Sequence, residues 1–188
     1  MTNSVAAESP ARLSDMMMKK ICLTSLLTLI LAFGLSFAQP ALAQQPTVIA
    51  TYKDWIVYKL DLGGDVVCYA VTEPTDKSPR SVNHGDVFFM VSSWTSGVAE
   101  GQPSFLAGYD LREAPEPVVR IGSDKWEMYT SEREGFVERD TDERRLVAAM
   151  KRGSDMRVSA ISARGTATNY TFSLLGITDS LNRIEKDC

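Results

Sequence analysis

The 188-residue chain carries one histidine, His84, and three cysteines, Cys22, Cys68 and Cys188. These residues bound its chemistry. A Ser-His-Asp device would have to use His84 as its base. His84 stands in Asn83-His84-Gly85-Asp86, a turn-like setting, and no nucleophile-elbow sequence occurs anywhere. The expectation is a turn or surface histidine. One histidine and two cysteines expected to bridge are too few nitrogen and sulfur ligands for zinc, so no metal site is expected. Carboxylates are plentiful: Asp110 and Glu113, Glu132 and Glu134, then Glu138, Asp140, Asp142 and Glu143. Glycoside hydrolysis needs two of them facing across a cleft. Helix capping and a solvated acidic turn account for residues 138–143 more simply. No calcium-loop spacing and no glycine-rich phosphate loop is present. No catalytic residue is therefore assigned and no cofactor is expected.

Three tryptophans, Trp55, Trp94 and Trp126, could form an aromatic binding platform, although packing is the simpler role for tryptophans in strands. Trp94 stands apart. It lies in Ser92-Ser93-Trp94-Thr95-Ser96, where an apolar run meets a polar loop. His84 and Trp94 are thus the two candidate ligand contacts.

The N-terminus addresses the chain for export. Lys19 and Lys20 precede an uncharged, mostly apolar run from Ile21 to Phe37, and Ala41-Leu42-Ala43 follows Pro40. This is the three-part pattern of a cleavable signal peptide, with cleavage between Ala43 and Gln44. Residues 1–15 suit such a segment badly, because they include Glu8 and Asp15; Met16, Met17 and Met18 are better starts. The rival reading, an uncleaved anchor, has an apolar run of only about 17 residues, the short limit for a membrane span. Cys22 precedes the apolar run and is not a lipoprotein acceptor. The expected organisation is residues 1–43 as extension and signal peptide, with its core at 16–43, and 44–188 as one domain without a stable membrane span. Removal of Glu8, Arg12, Asp15, Lys19 and Lys20 takes the net charge from −4 to about −5. That opposes nucleic-acid binding, which needs a basic footprint.

Export to an oxidising compartment leaves Cys68 and Cys188, an even count. Ile177, Leu181, Ile184 and Cys188 recur at spacings that fall on one helical face, which would turn Cys188 toward the body holding Cys68. An intrachain bridge is expected; free thiols or interchain bridges are the alternatives.

These groups must be positioned by a mostly β framework. Residues 55–61 and 66–72 are rich in β-formers and flank Gly63-Gly64, so they read as a hairpin. Residues 44–51 read as a lead-in, and Glu73 to Gly85 as a long exposed loop. Val87-Phe-Phe-Met-Val91 reads as a central strand buried on both sides. Residues 105–111, 118–121 and 125–130 are shorter strand candidates. Asp140 and Glu143 form a capping box for a helix over 140–152, with Lys151 and Arg152 in its last turn and Gly153 as its stop. Residues 156–163 and 168–174 form a second hairpin, in which Tyr170, Phe172 and Leu174 share a face. A last helix covers 176–187. The expected fold is mainly β: an antiparallel sandwich or curled sheet with two short helices.

From Asp54 to the C-terminus the chain resembles the invasion-associated locus B family of exported proteins of Gram-negative bacteria. The carriers are Asp54-Trp55, Cys68-Tyr69, Gly135-Phe136-Val137, Met156-Arg157-Val158-Ser159-Ala160, and Phe172-Ser173-Leu174 leading through Gly176 to Leu181. The resemblance implies a periplasmic or envelope-associated β-rich domain, linked by name to invasion or virulence, and carries no catalytic residues. Many members have a cysteine four residues after the first-strand tryptophan, where this chain has Lys59. That departure favours Cys188 as the partner of Cys68. The leading expectation is a non-enzymatic accessory protein of the periplasm, outer-membrane associated or secreted, that binds an envelope protein or polysaccharide. The rivals are a small periplasmic hydrolase using His84 or an acidic pair, and a glycan or small-ligand binder around Trp94.

Overall fold

A computed structural model describes residues 44–188. Among the described residues, twelve strands form two open antiparallel sheets, accompanied by two helices. The strands are β1 (Thr47–Tyr52), β2 (Trp55–Asp61), β3 (Val66–Thr72), β4 (Asp76–Ser78), β5 (Phe88–Trp94), β6 (Gln102–Leu106), β7 (Val118–Ile121), β8 (Asp124–Glu127), β9 (Tyr129–Ser131), β10 (Glu134–Phe136), β11 (Asp155–Ile161) and β12 (Ala167–Ser173). The helices are α1 (Asp140–Met150) and α2 (Ile177–Asp187). One sheet has the order β1-β2-β3-β5-β6-β10-β9, the other β4-β12-β11-β7-β8. The chain is mainly β, and the arrangement is that of a β-sandwich.

Alternation explains how the sheets meet. Phe89 and Val91 on β5, Phe105 on β6, and Cys68 and Ala70 on β3 are buried on one face of the larger sheet. Tyr170 and Phe172 on β12 and Met156 and Val158 on β11 answer from the smaller sheet. The rings interlock, with Phe89 and Phe172 centroids 5.8 Å apart and Phe105 and Tyr170 5.5 Å apart. Such off-parallel aromatic pairs add to the burial of their area.

Both expected hairpins form: β2–β3 around Gly63-Gly64, and β11–β12. Elsewhere the structure corrects the expectations. The lead-in is strand β1, paired to β2. The long loop contains β4, three residues that pair with β12. The run at 87–91 belongs to central strand β5, but only one face of it is buried, with Phe88 and Met90 half-exposed on the other. The candidate at 125–130 is two strands in different sheets, because the chain crosses between sheets at buried Met128. The candidate at 105–111 ends as a strand at Leu106.

The helices are near their expected places. The α1 cap is different, however. Arg139, not Asp140, is the N-cap, and no side chain caps the helix. Asp142 instead receives hydrogen bonds from Arg139 Nε (2.7 Å) and Arg145 Nη1 (2.6 Å). Lys151 and Arg152 lie beyond the last helical residue, where Gly153 donates to the Ala149 carbonyl. A Cβ on Gly153 would press against Ile121 and Leu174, so close packing, not a left-handed backbone, calls for glycine there.

Helix α2 turns Ile177, Leu181 and Ile184 into the core. Cys188 is bonded to Cys68 on β3, with Cα atoms 6.0 Å apart across 120 residues of sequence. The helix begins at Gly176, whose φ of +99° suits glycine and whose Cβ position is taken by the Tyr52 carbonyl oxygen. Trp55 Nε1 donates to the Ser173 carbonyl (3.0 Å) beside this junction, tying the two sheets together.

Candidate functional site

At the other end of β12 the segment Ala107–Arg112 forms a seam between the sheets. On one side the Ala107 and Leu111 amides donate to the Arg133 and Glu132 carbonyls, at 2.9 and 2.8 Å. On the other, Arg112 donates to the Ile161 carbonyl and Ala163 to the Asp110 carbonyl, both at 2.8 Å. A third segment presses on this seam at Gly108, where any Cβ would overlap the His84 carbonyl oxygen and crowd Gly85. Two glycines are therefore needed for two backbones to touch.

These elements enclose a cleft of about 800 Å³. Asn83, Tyr109, Asp110, Arg133, Arg164 and Thr168 line it, together with Ser162 and Thr166. Arg133 comes from the β9–β10 turn and Arg164 from the β11–β12 turn, so each sheet contributes one cation. Neither is ion-paired among the described residues. Arg112 also lies beside Gly165 at this turn.

Behind the wall runs a chain of hydrogen bonds. His84 Nε2 donates to the Pro79 carbonyl (2.9 Å), and Nδ1 lies 2.8 Å from the Tyr170 hydroxyl. Tyr170 donates to the Tyr109 hydroxyl (2.9 Å), which is 2.5 Å from Thr168 Oγ1, and Thr168 donates to the Ala160 carbonyl (3.2 Å). With Tyr170 donating onward, Nδ1 must donate as well, which requires a protonated ring; a neutral ring reverses the hydroxyls. In either state both ring nitrogens are occupied. Burial pushes the Tyr170 hydroxyl well above the ordinary phenol range, with its bond to Tyr109 adding to the effect, so it remains a neutral link.

His84 is thus a buried loop residue, 7% exposed; of the expected turn or surface setting, the surface alternative does not hold. Its neighbours Val82 and Asn83 line the cleft, while its own ring does not. Trp94 is elsewhere, half-buried at the end of β5 on the outer face of the larger sheet. On that face Tyr58 and Tyr69 stack with centroids 5.3 Å apart. Trp55 and Trp126 are core residues. Of the carboxylates, Asp110 alone lines the cleft. Gln44 is exposed at the start of the described residues, and Ala43 with the expected cleavage site lies outside them.

A second groove, of about 450 Å³, surrounds Trp126. Its charges are satisfied internally: Lys125 with Glu127 at 2.6 Å, and Arg139 and Arg145 with Asp142. Burial works to raise the Asp142 pKa, but its bonds to the two arginines outweigh it and hold the carboxyl below the usual range. Burial pushes Glu143 up, against a hydrogen bond with Gln102 and with help from the Asp140 charge. Among the described residues no cluster of three His, Cys, Asp or Glu could hold a metal ion, and no helix is long and apolar enough to cross a membrane.

The model of the invasion associated locus B (IalB) protein family matches residues 55–185. The chain belongs to this family. The matched span opens at Trp55, contains every cleft-lining residue and ends within α2, so the cleft lies wholly inside the family's domain. No curated protein and no solved structure matches the chain. Sequence reading missed the cleft. Tyr109, Arg133, Arg164 and Thr168 span some 60 residues and share no motif, and Tyr170 was legible only as a core position.

Proposed function

We propose that this chain is an exported accessory protein of the bacterial envelope that acts by binding, and that the cleft between Arg133 and Arg164 is its binding site. The observation that carries this reading is the cleft itself: two sheets and a glycine-tightened seam hold two guanidiniums, unpaired among the described residues, and several hydroxyls around one space. His84 supports binding over hydrolysis, since both its ring nitrogens are engaged and neither offers a lone pair to the cleft. In this reading the signal peptide is cut between Ala43 and Gln44, residues 44–188 act in the periplasm or at the outer membrane, and the partner is an envelope protein or polysaccharide. A role in virulence would follow from that partner. Photocrosslinkers placed at Asn83 and at Ala163 in intact envelopes should yield one reproducible adduct. Absence of any adduct from both positions, with several crosslinker chemistries, would remove the reading.

A second reading rests on Trp94. It shares the outer face of the larger sheet with Tyr58 and Tyr69, a setting for a glycan or other small ligand. Trp55 and Trp126 are buried, so Trp94 is the solvent-sensitive fluorophore. Emission that stays constant across a panel of neutral oligosaccharides would dismiss it.

A further inference from the structure

The charge and hydroxyl pattern of the cleft narrows the ligand. Arg133 and Arg164 are both exposed at the rim, on turns from different sheets. Each has its guanidinium unneutralised among the described residues, whereas the arginines and lysine of the Trp126 groove are all paired. Unpaired guanidiniums present forked donors that match carboxylate or phosphate oxygens. Between them Tyr109 and Thr166 present half-buried hydroxyls alongside the nearly buried Ser162 and Thr168, and Asp110 adds an exposed pure acceptor. Of the lining side chains only Val82 and Ala163 are aliphatic. One anionic group for the arginines, with several hydroxyls for the wall and for Asp110, describes an acidic sugar. An acidic peptide would fill the arginines and reach Asp110 with backbone N–H groups, but it brings few hydroxyls, whereas an acidic sugar brings the anion and several hydroxyls on one rigid ring.

We infer that the cleft binds a carbohydrate carrying a carboxylate or phosphate, with Arg133 and Arg164 taking the anion and Asp110 and Tyr109 facing the sugar hydroxyls. The inference rests on the reading of the cleft as a binding site. Rigidity favours it. Thr168 and Tyr109 are already held by the buried chain to Tyr170 and His84, so little ordering would remain for a ligand to impose.

The test is an amide and arginine side-chain NMR titration of the full chain purified from exporting cells. Three probes are compared: a tetrasaccharide alternating glucuronate and N-acetylglucosamine, glucose 1-phosphate, and the neutral N-acetylglucosamine tetramer. An acidic probe should shift Tyr109, Asp110 and residues 163–168 saturably, more weakly as salt rises, while the neutral tetramer does not; the probe that binds names the anion. Arg133→Ala and Arg164→Ala should each weaken binding about tenfold, the worth of one charge-assisted hydrogen bond, with otherwise unchanged spectra that show them folded. Equal binding of the neutral tetramer, unaffected arginine variants, or no shift at the cleft with any probe overturns the inference. If an adduct still forms from Asn83 in intact envelopes, the cleft remains a binding site and only its ligand class is wrong.

Discussion

Opposite ends of β12 are secured by different forces. Beyond Ser173, α2 is clamped by the Cys68–Cys188 bond and by buried Ile177, Leu181 and Ile184. Before Thr168, the cleft end has no covalent tie. It is held by main-chain hydrogen bonds along Ala107–Arg112, by the backbone contact at Gly108, and by the hydroxyl chain that ends on His84. Apolar burial and a crosslink resist unfolding without regard to direction. Hydrogen bonds instead fix the orientation of polar groups, and orientation is what a binding surface needs. This domain places its crosslink at one end and its polar precision at the other.

Breaking the crosslink should have the largest effect. Replacing both Cys68 and Cys188 by Ser should lower stability by about 4–5 kcal/mol in the chain-entropy picture, read as a fall in the urea midpoint. The cleft should survive in whatever protein remains folded. An unchanged midpoint would mean that α2 is held by its apolar face alone.

At the cleft end, Gly108→Ala should cost about 2–3 kcal/mol, because the new Cβ displaces the His84 carbonyl. Gly64→Ala, in open space, should change stability by less than about 0.5 kcal/mol. Equal effects of the two would show that the Gly108 crossing carries no constraint.

Tyr170→Phe keeps the ring among Phe105 and Phe172 and deletes only the hydroxyl, leaving His84 Nδ1 and Tyr109 short of a partner. A loss of about 1–2 kcal/mol is expected, with cleft amides disturbed more than those near α2. Uniform shifts over the whole domain would instead mark Tyr170 as a packing residue.

The smallest effect belongs to a polar clasp outside both ends. Asp65 receives hydrogen bonds from the Ser96 hydroxyl (2.6 Å) and the Thr95 hydroxyl (2.8 Å), and from the Ser96 and Val66 amides, which hold its carboxyl below the ordinary range. A depressed folded value means that the contribution is present at neutral pH and fades as pH falls through that value. Asp65→Asn should therefore flatten part of the acid limb of a stability-against-pH curve while leaving the limb above neutrality unchanged. An acid limb identical to that of the parent would deny Asp65 this role.

Local order was largely legible in the residues themselves. Period-two alternation placed Tyr170, Phe172 and Leu174 on one face, and the 3-and-4 spacing of Ile177, Leu181, Ile184 and Cys188 turned the last helix inward. These patterns work because each position's burial depends on its own element. The same logic failed at β4 and β10, three residues each, whose existence depends on a partner strand supplied from far along the chain. It failed at His84, where a turn-like neighbourhood concealed a core position opposite Tyr170.

By itself the sequence determined the mainly β composition, the two helices of the described residues, the expected pairing of Cys68 with Cys188 and the family to which the chain belongs. Only the tertiary structure decided that Tyr109, Asp110, Arg133, Arg164 and Thr168 share one cleft, and that His84 stands behind its wall with both nitrogens engaged. The reason is physical. Periodicity and propensity act over a turn of helix or a pair of residues, whereas the cleft is made by two backbones touching at Gly85 and Gly108 and by hydrogen bonds between segments tens of residues apart.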